Sequence, residues 1–132
     1  MQIALIQASF ARVFARKAEL ADHFFHHLFQ ALPEAEGWFN NDIVKQKEMF
    51  STMLASSMQA LSDAERFQTL GAELAQKHAG LGLTTAHLKA TETALMQALN
   101  ETSGSGLSAE ETAAWQAAIS QLTQMMAPAL DG

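Results

Sequence analysis

Along the first quarter of the chain, apolar side chains return every third or fourth position. They are Ile3, Ile6, Phe10, Val13 and Phe14, then Leu20, Phe24, Phe25, Leu28, Phe29 and Leu32. A stripe with that period lies along one face of an α-helix, whereas a strand would need a period of two. Proline, which would interrupt such helices, occurs only at Pro33 and Pro128. Between the turn signals the chain is rich in Ala, Leu, Gln, Glu, Lys and Met, all good helix formers. The sequence therefore predicts an all-α fold, and 132 residues suit one domain spanning 1–132 better than two.

Local punctuation divides the stripes. A second helix is expected from about Lys17 to Leu32, ended by Pro33, because proline disfavours a helical residue before it. "PEAEGWFNND" then reads as a short helical turn and a corner. Asp42 is the expected N-cap of a helix to about Ala60, with Ile43, Gln46, Phe50, Leu54, Ser57 and Leu61 inward. "SDAERF" has the form of a capping box from Ser62 to Glu65, opening a helix whose stripe is Phe67, Leu70, Leu74 and His78. Gly80 and Gly82 are the expected stop. Thr84 or Thr85 starts a helix through Leu88, Leu95 and Leu99, followed by "NETSGSG" as a loop. Ser108 caps the last helix, in which Trp115, Ile119, Leu122 and Met126 face inward before Pro128.

Composition narrows the function classes. With 8 Lys+Arg against 14 Asp+Glu the net charge is −6, and no long basic run suggests nucleic acid or an anionic membrane as the partner. Charged residues make up 17% of the chain, below the roughly 25% usual for domains, so much of it calls for burial. With no cysteine, disulfides, thiolate metal sites, cysteine nucleophiles and covalent C-x-x-C-H haem attachment are all excluded. The amphipathic N-terminus does not read as a signal peptide, and no segment has the roughly 18 continuous apolar residues of a membrane span. A cytoplasmic location is expected. No G-x-S-x-G, phosphate loop, dinucleotide fingerprint or EF-hand loop is present, so any chemistry calls for a cofactor.

Two polar side chains interrupt the buried stripes, Gln46 and His78. A histidine near a helix end can be a neutral core residue bonded to a carbonyl, or can interact with the helix dipole. It can also donate a nitrogen lone pair to a metal while its other nitrogen donates to a carbonyl one turn back. One histidine cannot close a zinc site. It can hold a haem iron, for which the protein need provide only one axial ligand. Gln46 by itself suits the edge of a stripe, reaching water; opposite His78 its amide could donate to a ligand on the iron. His23, His26 and His27 share one helix, with His23 and His27 spaced i,i+4. No carboxylate accompanies them in sequence, so they read as a solvated face. His87, just after the glycine turn, suits either the surface or a haem propionate. The seven methionines read as core filler.

With these residues placed, the chain resembles a globin, and within the globins the bacterial single-domain haemoglobins and the globin domain of flavohaemoglobins. "FFHHLFQALPEAEGWF" resembles the family's second helix, the proline of the next turn and the haem-packing phenylalanine, here Phe39. "LAQKHAGLGLTTAHL" resembles its proximal segment. The resemblance covers essentially the whole chain through K-H-x-x-x-G and P-E-x-x-x-x-F. It implies six to eight helices around a pocket for haem b, with His78 as the iron ligand and Gln46 with Phe25 on the opposite side. Phe29, Phe39, Phe50, Leu54, Leu74, Leu83 and Leu88 would form apolar walls, and Lys47, Lys77 or His87 would meet the propionates. An alternative register puts Lys45 at the distal position; Gln46 is preferred because it makes Phe50, not Ser51, the next inward residue. Phe25 and Leu88 stand where relatives often carry tyrosines, so the hydroxyl that holds oxygen and a Tyr–Glu pair that polarises the imidazole are both missing.

The expected function is reversible binding of a diatomic gas, oxygen or else NO or CO, in transport or storage rather than turnover. A haem enzyme, an NO dioxygenase or peroxidase-like, would require an external reductase. A haem-free interaction module of globin shape is the third reading, and the retained His78 weighs against it. Two tryptophans and an apolar last helix would suit a homodimer, and core packing accounts for them equally.

Overall fold

The computed structural model describes residues 3–39, 42–78, 84–102 and 106–127, apart from the side chains at 38 and 39. Among the described residues there are six α-helices and no strand. Helices α1 (Ile3–Phe14) and α2 (Lys17–Ala31) precede a 3-10 helix (Pro33–Phe39). Next come α3 (Ile43–Gln59), a short 3-10 turn (Ala60–Ser62) and α4 (Ala64–His78). Helices α5 (Thr85–Thr102) and α6 (Ala109–Met126) complete the order.

The expected punctuation operates at most boundaries. Leu32 leaves helical geometry at φ −133° and ψ 80°, as a residue before proline should. The Asp42 side chain accepts from the Lys45 N–H at 3.1 Å. Ser108 and Glu111 form the reciprocal capping box of α6. One cap is corrected: Ser62 is consumed by the Ala60–Ser62 turn, and Asp63 caps α4 instead, accepting from the Arg66 N–H at 3.2 Å. The loop expected from Asn100 begins later, because Asn100, Glu101 and Thr102 form the last turn of α5. The Asn100 side chain then accepts from the Leu107 N–H at 3.0 Å, and Gly106 takes φ +91°, a conformation glycine adopts without strain. The predicted stop at Gly80 and Gly82 lies outside the described residues.

One continuous core draws on every α-helix, with Trp115, Ile6, Leu20, Leu54, Met58, Leu99 and Val13 almost wholly buried. Helix α2 packs on α1, α3, α5 and the Pro33–Phe39 helix, and α6 packs on α1, α4 and α5. At the α4–α6 contact a Cβ on Gly71 would lie 2.6 Å from the Met125 sulfur, so glycine permits the close approach. Trp115 brings a polar N–H into the centre, and its indole nitrogen donates to Ser9 Oγ at 2.7 Å. Ser9 in turn lies 2.9 Å from the Leu5 carbonyl oxygen and 3.1 Å from that of Ile6. The indole is therefore satisfied with no water required.

The predicted stripe of α3 is partly corrected. Leu54 and Ser57 are buried as expected, but Ser51 is buried and Phe50 only half-buried. Ser51 turns toward the start of α2, with its Oγ 3.5 Å from the Lys17 carbonyl oxygen. A small hydroxyl can occupy that helix contact, and a phenyl ring could not.

At the other end of the bundle Arg12 of α1 holds Glu111 of α6 at 2.9 Å. The Ser108 N–H bond to its carboxylate, with Arg12 beside it, keeps Glu111 below the usual carboxylate range against the opposing effect of burial. Two predictions follow from these contacts. Ser9→Ala leaves the buried indole N–H without its acceptor and should lower unfolding free energy by roughly 1–3 kcal/mol, measured by denaturant titration. A carboxylate depressed in the folded state stabilises above its unfolded pKa and loses that contribution as pH falls through the folded value. Thermal melts of Glu111→Gln should therefore lie below the parent at pH 7, and the two should converge as the pH is lowered through the depressed folded value of Glu111.

Candidate functional site

Helices α3 and α4 leave the Ala60–Ser62 turn without packing along each other, because α3 is held by α2 and α4 by α6. Between them runs a groove of about 450 Å³, within the size range of small-molecule sites. Met49, Met53, Leu70 and Leu74 give it apolar surface, and Lys45, Lys77, Glu48 and Glu73 give it charge. Thr52, Ser56 and Ser57 complete the lining.

His78 is the last residue of α4, half-buried and one turn beyond the groove-lining Leu74. Its Nδ1 lies 2.7 Å from the Leu74 carbonyl oxygen. A carbonyl oxygen only accepts, so Nδ1 carries the hydrogen, and the neutral ring keeps its lone pair on Nε2. The orientation expected for a metal-binding imidazole is thus set by the helix's own backbone.

Four phenylalanines meet between α2 and α3. Phe50 stacks on Phe24 with centroids 4.3 Å apart and meets Phe25 edge-on at 5.9 Å. Phe24 and Phe25 are themselves edge to face at 5.1 Å, and Phe29 tilts against Phe25 at 5.7 Å. Phe24 and Phe25 are buried, Phe29 and Phe50 half-buried. The sequence reading missed Phe24 as a wall residue, although its neighbour in the same stripe was taken.

The remaining candidates divide. Leu54, Leu74 and Leu88 are buried, and Gln46 is half-buried one turn before Phe50. Lys77 is exposed on the groove lining, as is Lys45. Lys47 reaches α2 instead, its Nζ 2.9 Å from Asp22. His87 turns to its own helix start: its Nδ1 accepts from the Thr84 N–H at 3.0 Å, while its backbone N–H donates to Thr84 Oγ1 at 3.3 Å. Its Nε2 lies 3.7 Å from Glu34. Leu83 and the Phe39 side chain lie outside the described residues.

Met58 and Met126 are core residues as expected, but two other methionines face the groove. Met49 is 49% exposed, and with Met53 it lines the groove, so these two are not plain core filler. Their position three and seven residues after Gln46 was the available signal. On α2, His26 is exposed as expected, while His23 and His27 have a carboxylate partner that their sequence neighbourhood does not show. His23 Nδ1 lies 3.0 Å from Glu101 of α5, and His27 Nε2 meets the other oxygen of the same carboxylate. Their partner is 74 residues from His27 in sequence, which is why local spacing gave no sign of it.

The sequence model of the Globin family matches residues 7–126. The chain belongs to the globin family. No curated protein matches it individually. Globins in general bind haem and, through it, a gaseous ligand. The expected globin-like fold is therefore the observed one, and the two helices that border the groove of this globin are those carrying Gln46 and His78. Among its described residues no helix is long and apolar enough to cross a membrane.

The aromatic wall generates a stability prediction. Phe24→Ala removes a buried ring on which Phe50 stacks and Phe25 abuts, and should cost about 3 kcal/mol in denaturant unfolding. Phe24→Leu, which keeps most of the volume, should cost less than half as much.

Proposed function

We propose that this globin, as a single domain over residues 1–132, holds haem b without a covalent link and reversibly binds a diatomic gas. The observation that carries the reading is the His78–Leu74 hydrogen bond, which commits Nδ1 to the backbone and reserves the Nε2 lone pair for iron. The fit rests on that donor and on the groove beside it. A single neutral imidazole would suffice as the protein's ligand to an iron whose remaining nitrogen donors come from the macrocycle.

Each remaining residue has a defined task. Phe25, Phe29 and Phe50, with Phe24 behind them, present ring surface that excludes water from one side of the site. Leu54, Leu74 and Leu88 extend the apolar wall, and by resemblance Phe39 and Leu83 belong to it. Gln46 provides amide N–H donors and no titratable charge. It is preferred to Lys45 as the distal residue because its i+4 neighbour is Phe50, within the aromatic cluster, whereas that of Lys45 is the exposed Met49. Lys77 lines the groove and would meet a propionate carboxylate. Lys47 and His87 are engaged with Asp22 and Thr84, which makes them weaker choices. When bound, ferrous haem supplies an open coordination position for oxygen, NO or CO.

Phe25 packs among rings and brings no hydroxyl, and Leu88 brings none near the proximal side. Both favour binding over turnover. The subgroup that suits this pattern is the bacterial single-domain haemoglobins, with a cytoplasmic location. The test is the absorption spectrum of the purified chain. The ferrous protein should retain haem and change its Soret band with carbon monoxide. His78→Gly should lose haem on a desalting column and regain it with added imidazole. A parent chain that retains no haem, or a His78→Gly chain that retains it fully, would overturn the assignment.

A further inference from the structure

Away from the groove, one carboxylate is gripped by two imidazoles. His23 and His27 stand one helical turn apart on α2, so their side chains project from the same face. Glu101, in the last turn of α5, reaches across and meets both, with Oε2 3.0 Å from His23 Nδ1 and Oε1 against His27 Nε2. The haem reading uses none of the three. Their side chains are 38%, 18% and 41% exposed, so the cluster is open to small solutes. His26 is an immediate neighbour, its ring centroid 5.5 Å from that of His27.

We infer that His23, His27 and Glu101 form a site for a divalent transition-metal cation of the imidazole-preferring class, such as Zn²⁺, fastening α2 to α5. Two imidazoles and one carboxylate are the donor set of open zinc sites, with water completing the coordination. A histidine pair spaced i,i+4 on a helix is the spacing by which metalloprotease helices chelate. The third donor comes from a helix packed along the first, so a cation at this place would join elements that already touch.

Among the described residues no three such groups surround a point ready to receive a metal, and the geometry gives the reason. A carboxylate only accepts, so both imidazoles donate to it, and the donor atoms face one another instead of a shared centre. A cation enters when the exposed Glu101 carboxylate swings outward from between the rings. Each neutral ring then moves its proton to its other nitrogen and presents a lone pair. A protonated ring must first release a proton, so acid weakens binding.

The test is calorimetric titration of the chelator-treated full chain with ZnCl₂. One saturable site per chain is expected. His23→Ala and His27→Ala should each weaken binding about tenfold or more, Glu101→Gln should weaken it to a lesser degree, and His26→Ala should leave it unchanged. Ring-nitrogen NMR signals of His23 and His27 in the unsubstituted chain give a second reading that needs no variant, and they should shift in proportion to added Zn²⁺. Absence of a saturable site, a site that survives both alanine substitutions, or ring signals that stay in place would each overturn the inference. The readout does not involve haem, so its failure is distinct from failure of the gas-binding reading.

Discussion

Helix α2 must satisfy α1, α3, α5 and the Pro33–Phe39 helix at once, and it does so by burying adjacent pairs. Leu20 with Ala21 and Phe24 with Phe25 widen its apolar stripe well beyond a single seam. That width lets one helix hold α3 through Phe24 and Phe50 while holding α5 as well. The other half of the constraint is α6, which draws α4 close at Gly71. With α3 packed on α2 and α4 on α6, the two helices on either side of the Ala60–Ser62 turn lie against different neighbouring helices. The groove between them follows from how their neighbours pack, not from any feature of the corner itself.

Within that frame the site depends on economy of polar groups. His78 needs no second-residue side chain to fix its tautomer, because the Leu74 carbonyl oxygen, one turn back on α4, accepts from its Nδ1. A helix end and an oriented imidazole are thus one arrangement. The rings of Phe24, Phe25 and Phe50 pack α2 against α3. Charge is kept at the groove's edge, where Lys45 and Lys77 mix with Glu48 and Glu73.

Much of this was legible in residue order. The stripes of α5 and α6, and that of α2 as far as Leu28, are buried where the three-to-four spacing put them, and Asp42 and Ser108 cap as their chemistry requires. The resemblance around Pro33 and His78 agrees with the family match over 7–126. What misled was proximity along the chain. Ser62 has the form of a cap, yet a short 3-10 turn uses it and Asp63 takes the role. Lys47 and His87 read as groups free for a propionate, and each has a partner that only folding supplies. Met49 and Met53 follow Gln46 at helical spacing, yet only the parting of α3 and α4 shows that they line a groove.

By itself the sequence determined the helices, the caps at Asp42 and Ser108 and the turn of His78 toward its own backbone. All of these rest on hydrogen bonds and side-chain periods spanning four residues or so, within which residue order is geometry. Tertiary structure alone decided that Ser51 and not Phe50 is fully buried, that α3 and α4 part, and that Glu101 lies between His23 and His27. Those outcomes depend on which faces of distant helices come together. That is settled by competition among all the buried stripes at once, and no window of the sequence contains it.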